Sequence, residues 1–267
     1  MSTYLNISDK IKVQSYGPDT DYSAVLSYAA TQGYVLPSES QQILQDSLVK
    51  DLKTAGVWDK LDVFYVFATD GDSDFATLNW KAPSSFQSTK VNSPTFTSNS
   101  GFTGDGSSSY LDLNYNPSAN KINLDLNNNS IGVYQTNPSA VGVMISAFDS
   151  GSSFFELNND NGNTRIISFN MSTLGDVPSV GANSQDGLWV STRNNSSNYS
   201  IYKNNLNIAA PPRSSIAIPN VNTRILARSN NSFYGAGEIS MGFVGSYLDS
   251  TNVSDFYNAW NSYFTSL

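Results

Sequence analysis

Apolar positions along the chain change their period near residue 80. Tyr22, Val25, Leu26 and Ala29 recur at helical spacing behind the N-cap candidates Asp19, Thr20 and Asp21, and Gly33 offers a C-cap. Pro37-Ser38-Glu39-Ser40 opens a second helix, whose apolar stripe reads Ile43, Leu44, Leu48, Leu52 and Ala55, with Gly56 as its stop. Residues 60–67 form a short buried helix or strand, since period alone does not separate the two in so short a run. Beyond residue 80, apolar stretches of 4 to 9 residues alternate with Asn/Ser/Gly clusters. Residues 141–148, 153–157, 164–169, 188–192, 199–202, 223–227 and 239–247 are the predicted strands. Residues 158–163 are predicted as a hairpin loop, and Lys203-Asn204-Asn205 as a tighter turn. The pattern predicts a mainly β protein, a two-sheet sandwich. It closes on a C-terminal helix capped by Ser250 or Thr251, with Val253, Phe256, Tyr257, Trp260 and Phe264 on its buried side.

Three zones follow: an N-terminal arm at 1–20, a helical connector at 21–79 and a β-rich part at 80–267. The arm holds two β-like patches, residues 4–7 and 11–14, and ends at the turn Gly17-Pro18-Asp19. Charge sharpens the division. Residues 1–79 carry 5 basic and 11 acidic residues, a balance of −6, whereas the rest carry 9 and 11, a balance of −2.

Composition removes whole classes of chemistry. The 267 residues include no His and no Cys, so His- or Cys-based triads, thiolate or imidazole zinc sites and disulfides are excluded. Charged residues are 13% of the chain, about half the usual ~25%. Their place is taken by 43 Ser and 31 Asn, while 15 Tyr and 14 Phe supply enough apolar area to fold. A net charge of −8 with singly scattered Lys and Arg offers no basic face for nucleic acid. Met1 to Lys10 has neither a basic start nor an apolar run, and the longest apolar run, Val63 to Ala68, is too short to span a membrane.

Candidate chemistry is sparse, and the reading assigns no catalytic, cofactor-binding or metal residue. Asp70, Asp72 and Asp74 alternate as calcium-binding carboxylates do. An EF-hand counted from Asp70 would need Gly and Glu where Phe75 and Lys81 stand, so a solvated loop with Asx turns is the competing reading. Glu156 and Asp160 are the nearest approach to a glycosidase pair, against a solvated hairpin rim. Tyr115, Tyr134, Tyr199 and Tyr234 lie near Asn-rich loops where a ring could stack on a sugar, against half-buried sheet positions. Trp58, Trp80, Trp189 and Trp260 read as core, and Pro211-Pro212 as a loop that blocks a sheet edge.

Three stretches resemble concanavalin A-like, laminin-G-type jelly-roll domains. They are Gly101-Phe102-Thr103-Gly104-Asp105-Gly106 through Tyr110-Leu111-Asp112-Leu113, Ser200-Ile201-Tyr202-Lys203-Asn204-Asn205-Leu206, and the ending from Ile239 through Leu248-Asp249-Ser250 into a helix. In the second, Asn205 stands where the family usually has Gly. A further layout resembles bacteriophage structural proteins, especially of phages infecting Bacteroidetes. It comprises residues 52–62, Tyr65-Val66-Phe67-Ala68, Val91-Asn92-Ser93-Pro94-Thr95-Phe96 and the Gly-rich strand that follows. The resemblance implies a non-enzymatic virion component, such as a spike, fibre or capsid decoration, exposed on the particle. Its implied partners are other virion proteins, copies of itself as a trimer or pentamer, and host-surface glycans; it implies no cofactor. A virion-borne polysaccharide-degrading enzyme and a free calcium-dependent lectin-like module are the competing expectations.

Overall fold

The computed structural model describes residues 17–138, 141–149, 153–160, 163–167, 179–180 and 186–267. Most of the expected arm, residues 1–16, lies outside them, as do residues 161–162 of the expected hairpin loop and 168–169 of one predicted strand.

Helix α1 (Thr20–Gln32) starts where Asp19 accepts the N–H groups of Asp21 and Tyr22, and stops at Gly33 with φ 76°. Helix α2 (Glu39–Thr54) starts where Ser38 accepts the Gln41 N–H. Its predicted stripe is displaced. Ile43 is 67% exposed, whereas Gln41, Gln45, Leu48, Val49 and Leu52 are buried. The cause is a polar network: Tyr22 Oη donates to Gln45 Oε1 at 2.6 Å, and Gln45 Nε2 reaches Gln41, Thr69 and Tyr263 at 3.1 Å each. Satisfied amides are allowed inside, and apolarity alone does not locate this face.

Residues 61–66 resolve as strand β1 (Leu61–Val66), buried along its whole length. Its side chains alternate between two cores: Val63 and Tyr65 belong to one, and Phe64 and Val66 to the other. A strand covered on both faces reads as an unbroken apolar run, hence the ambiguity in sequence.

The remaining strands are β2 (Thr89–Val91), β3 (Thr95–Thr97), β4 (Gly101–Thr103), β5 (Tyr110–Asp112), β6 (Asn129–Thr136), β7 (Gly142–Asp149), β8 (Ser153–Asp160), β9 (Asn163–Ile167), β10 (Ser179–Val180), β11 (Gly187–Arg193), β12 (Ser200–Lys203), β13 (Leu206–Ala209), β14 (Arg224–Ile225) and β15 (Glu238–Gly245). A one-turn helix α3 (Pro117–Asn120) and the closing helix α4 (Ser250–Phe264) complete the elements used below.

Sheet one runs β13-β12-β11-β6-β15-β4-β3, and β1 also pairs with β15. Sheet two runs β10-β9-β8-β7-β14-β5-β2. Every described pairing is antiparallel. The sandwich is therefore as expected. Phe102, Leu111, Ile131, Val133, Ile145, Phe155 and Leu157 fill the space between the sheets. The opposite face of sheet one is covered by α1, α2 and α4 through Trp58, Phe64, Trp80, Phe243, Phe256 and Trp260. The acidic helical zone and the sandwich thus share cores, and β1 ties them through β15. All four Trp are buried, as predicted. The cap of α4 is Asp249, one residue before the predicted ones, in a capping box with Asn252. Tyr257 and Phe264 flank its buried stripe rather than belong to it. Among the described residues no helix is long and apolar enough to cross a membrane.

The strand the sequence conceals most completely is β6, the centre of sheet one between β11 and β15. Its opening Asn129-Ser130 continues an Asn cluster, yet Ser130 Oγ donates to Ser246 O at 2.7 Å and both residues are buried. Gly132 faces Phe243 across the β15 pairing, and a methyl there would lie 2.3 Å from the Phe243 ring. Gly132→Ala is accordingly expected to lower stability by about 2 kcal/mol through overpacking. Urea melts measure it, and an unchanged midpoint would show that the ring repacks freely.

Candidate functional site

Sheet two turns one face to the core and carries a row of polar and charged side chains on the other. Period-two alternation and the strand register place Asp112, Arg224, Ser146 and Glu156 side by side on β5, β14, β7 and β8. Their neighbours Leu111, Ile225, Ile145 and Leu157 point into the core. Phe148 and Phe154 pair across β7 and β8 on the outward face, their rings stacked at 5.1 Å.

The charges of this row are paired in place. Arg228 Nε and Nη2 donate to the two oxygens of Glu156 at 2.7 Å each, a bidentate fork. Ser146 Oγ adds a bond at 3.1 Å, and Asn158 Nδ2 donates to Glu156 Oε1. Glu156 is fully buried. It lies inside β8, and this corrects the expectation of a solvated hairpin rim. The Arg228 guanidinium lies 4.8 Å from the Phe148 ring centre and 4.7 Å from that of Phe233, held between two aromatic faces. One strand over, Arg224 Nε meets Asp112 at 3.3 Å, its Nη1 reaches Asn231 Oδ1 at 2.7 Å, and its guanidinium lies 4.4 Å from the Tyr110 ring centre.

Residues 226–235 arch over this face from the end of β14. The arch is closed at its root, where the Gly235 N–H donates to Leu226 O at 2.8 Å. A methyl on Gly235 would come within 2.3 Å of Val143 O, so only glycine lets the arch meet the sheet. Three residues of the arch have positive φ: Leu226 at 69°, Asn231 at 58° and Phe233 at 52°. Asn tolerates this region; Leu and Phe pay for it, at about 1–3 kcal/mol each. The ion pairs and rings hold them there. Asn158 Oδ1, buried beside Glu156, has no hydrogen-bond partner.

The sequence candidates fall elsewhere. Asp70 Oδ1 accepts the Ser38 N–H at 3.0 Å and Asp72 Oδ2 the Val35 N–H at 2.8 Å, pinning the link between α1 and α2. Asp74 pairs with Lys90 at 2.7 Å. Among the described residues no three His, Cys, Asp or Glu side chains are grouped to hold a metal ion. Tyr115 and Tyr199 are buried. Tyr134 packs against Trp260 and Phe264 under the helices. Of the four tyrosines, Tyr234 alone reaches the outward face of sheet two, its ring 6.3 Å from Tyr110. Glu39 stands exposed at the start of α2, and Glu238 accepts a bond from Thr136 Oγ1 at 3.0 Å. A groove of about 480 Å³ between α1 and α2, lined by Tyr22, Leu26, Ile43, Asp46 and Lys50, brings no reacting groups together. Sequence reading misses the Arg224 and Arg228 pairs because their partners lie 112 and 72 residues away. The pattern Arg224-Ile-Leu-Ala-Arg228 is the only local trace.

No family model matches this chain, and no curated protein matches it. Solved structures do. The chain is similar to Trypanosoma rangeli sialidase in complex with sialic acid, at 11% identity and a TM-score of 0.53, covering 82% of this chain and 39% of that one. A mutant of the same sialidase displaying trans-sialidase activity gives 10%, 0.52, 83% and 39%. Botulinum neurotoxin type C, described for interaction with two ganglioside molecules, gives 11%, 0.50, 77% and 52%. The chain thus spans about two fifths to half the length of the structures it matches. With its two antiparallel sheets, its helical layer and its closing helix, this chain is a mainly β two-sheet sandwich, similar in fold to these structures.

Proposed function

We propose that this protein is a non-enzymatic virion surface component whose jelly roll recognises glycans through the outward face of sheet two. The observation that carries the glycan reading is the pair of ring-stacked, ion-paired arginines on that face, beneath an arch whose backbone is strained at three residues. Planar rings flank fixed polar groups there, and sugars with one apolar C–H face and many hydroxyls fit such a surface. Two neighbours of the fold, a sialidase in complex with sialic acid and a neurotoxin that interacts with gangliosides, support the same class of ligand.

The absence of catalysis in this reading rests on spacing. Glu156 and Asp112 stand three strands apart in sheet two, roughly 14 Å at ~4.8 Å per strand. Glycosidase carboxylates stand about 5–10 Å apart. The virion role rests on the phage-like layout of residues 20–130, and a symmetric oligomer would multiply weak single-site binding.

A glycan array probed with the full chain tests recognition. Binding is expected, and Phe233→Ala is expected to weaken it about tenfold or more while the chain stays folded. Release of sugar fragments during the incubation would move the protein to the enzymes. Mass spectrometry of purified particles tests the virion role, and a particle fraction without this chain would overturn it.

A further inference from the structure

We infer that the groove between α1 and α2 is the seat of the chain's own N-terminal arm, residues 1–16. The inference is independent of the glycan reading, since this groove lies in the helical layer that covers sheet one. The cavity of about 480 Å³ has apolar walls in Tyr22, Leu26 and Ile43, and its polar rim includes Glu39, Asp46 and Lys50. Ile43 is 67% exposed. One exposed apolar side chain on an open surface needs no explanation. One that walls a groove offers a second apolar side chain a place to pack.

The chain enters the described structure at the mouth of that groove. Pro18 is one of its lining residues. The Asp19 N–H donates to Asp46 Oδ1 at 2.5 Å, and Lys50 Nζ donates to Gly17 O at 3.2 Å while pairing with Asp46 at 2.6 Å. Gly17 to Asp19 are thereby fixed beside the second half of α2, and the arm starts from there. Its sequence is the complement of the groove. Residues 1–16 hold Tyr4, Leu5, Ile7, Ile11, Val13 and Tyr16, with Lys10 and Lys12 against Asp9 alone. Residues 17–79 carry 3 basic and 10 acidic residues. A weakly basic, apolar arm therefore meets an acidic helical layer.

The lengths agree as well. Along α2, Ile43 lies two turns before Lys50, about 10 Å at 1.5 Å per residue. Extended chain covers that distance in about three residues, so an arm leaving Gly17 along α2 brings Val13 to Ile43. Glu39 stands one turn further, within reach of Lys10 and Lys12. Tethered at the groove's own mouth, the arm is present there at an effective concentration of about the millimolar range, which favours it over an arm from another molecule.

Limited trypsin digestion of the full chain tests the inference, because Lys10 and Lys12 are the arm's only basic residues. Intact-mass spectrometry follows cleavage after each. A seated arm is cut only from its released state, so the rate reads the seating equilibrium. Ile43→Ser removes most of the apolar contact and is expected to speed cleavage about tenfold. Val35→Ser is the control: Val35 is 62% exposed and does not line the groove, and its rate should match that of the parent chain. Equal rates in all three proteins would overturn the inference, and so would an equal acceleration by Val35→Ser. Digestion at low and high chain concentration reads which arm is seated. A constant rate is expected for a chain's own arm, and protection that grows with concentration would overturn that assignment in favour of an arm exchanged between copies.

Discussion

Asp62→Ala is expected to cost about 4 kcal/mol of stability, lowering the melting temperature by about 10 °C. Asp62 lies on β1 and is buried. Its carboxylate accepts four donors: Tyr115 Oη at 2.7 Å and the N–H groups of Ile122, Asn123 and Leu124 at 2.9, 2.7 and 3.4 Å. One side chain thereby ties the first strand to a loop some 60 residues later, between α3 and β6. Removing it leaves a phenol and backbone donors without acceptors, and unsatisfied buried groups cost more than satisfied ones contribute. Burial and the adjacent carboxylate push the Tyr115 hydroxyl well above its ordinary range, so it remains a donor at any working pH. Asp62→Asn keeps one acceptor oxygen and should lose less. Urea melts of the three proteins read the effect, and a loss below about 1 kcal/mol for Asp62→Ala would show that the loop does not depend on this residue.

The second large effect belongs to Glu156 and Arg228. Breaking the pair from either side, by Glu156→Gln or Arg228→Met, should cost about 3–5 kcal/mol, because each leaves a desolvated charge behind. Replacing both, Glu156→Leu with Arg228→Met, should recover most of that loss, since two apolar side chains of similar volume need no partner. The cycle is expected to show a coupling of about 2–3 kcal/mol. Simple additivity would mean the two side chains contribute separately. Binding separates stability from function. The double variant should fold and yet bind sugar poorly, because Arg228 no longer sits between the rings of Phe148 and Phe233 to hold the arch.

Several elements were legible because local chemistry sufficed. The α1 cap at Asp19, its stop at Gly33 and the turn at Asn204, with φ 54°, are all signalled within four residues of chain. Strands β7, β11 and β15 announce themselves by clusters of apolar residues between Asn/Ser/Gly stretches. Other elements were illegible for one physical reason: their stability comes from distant partners. Ile43 looks like core and is exposed, because Gln45 takes the interior with Tyr22, Thr69 and Tyr263. Glu156 looks like a loop acid and is buried, because Arg228 reaches it from 72 residues away.

The sequence by itself determined the class of molecule: a β-sandwich with a helical start and a helical end, without thiol or imidazole chemistry, and poor in charge. Period, turn residues and counting are local properties, and they survive without coordinates. Only the tertiary structure decided which polar groups are interior. It also decided that β6 centres a sheet, and that Arg224, Arg228, Asp112 and Glu156 gather with the rings of Tyr110, Phe148, Phe154, Phe233 and Tyr234 on one face of the other. Those facts depend on register across antiparallel strands, where Asp112, Arg224, Ser146 and Glu156 become neighbours only once β5, β14, β7 and β8 pair.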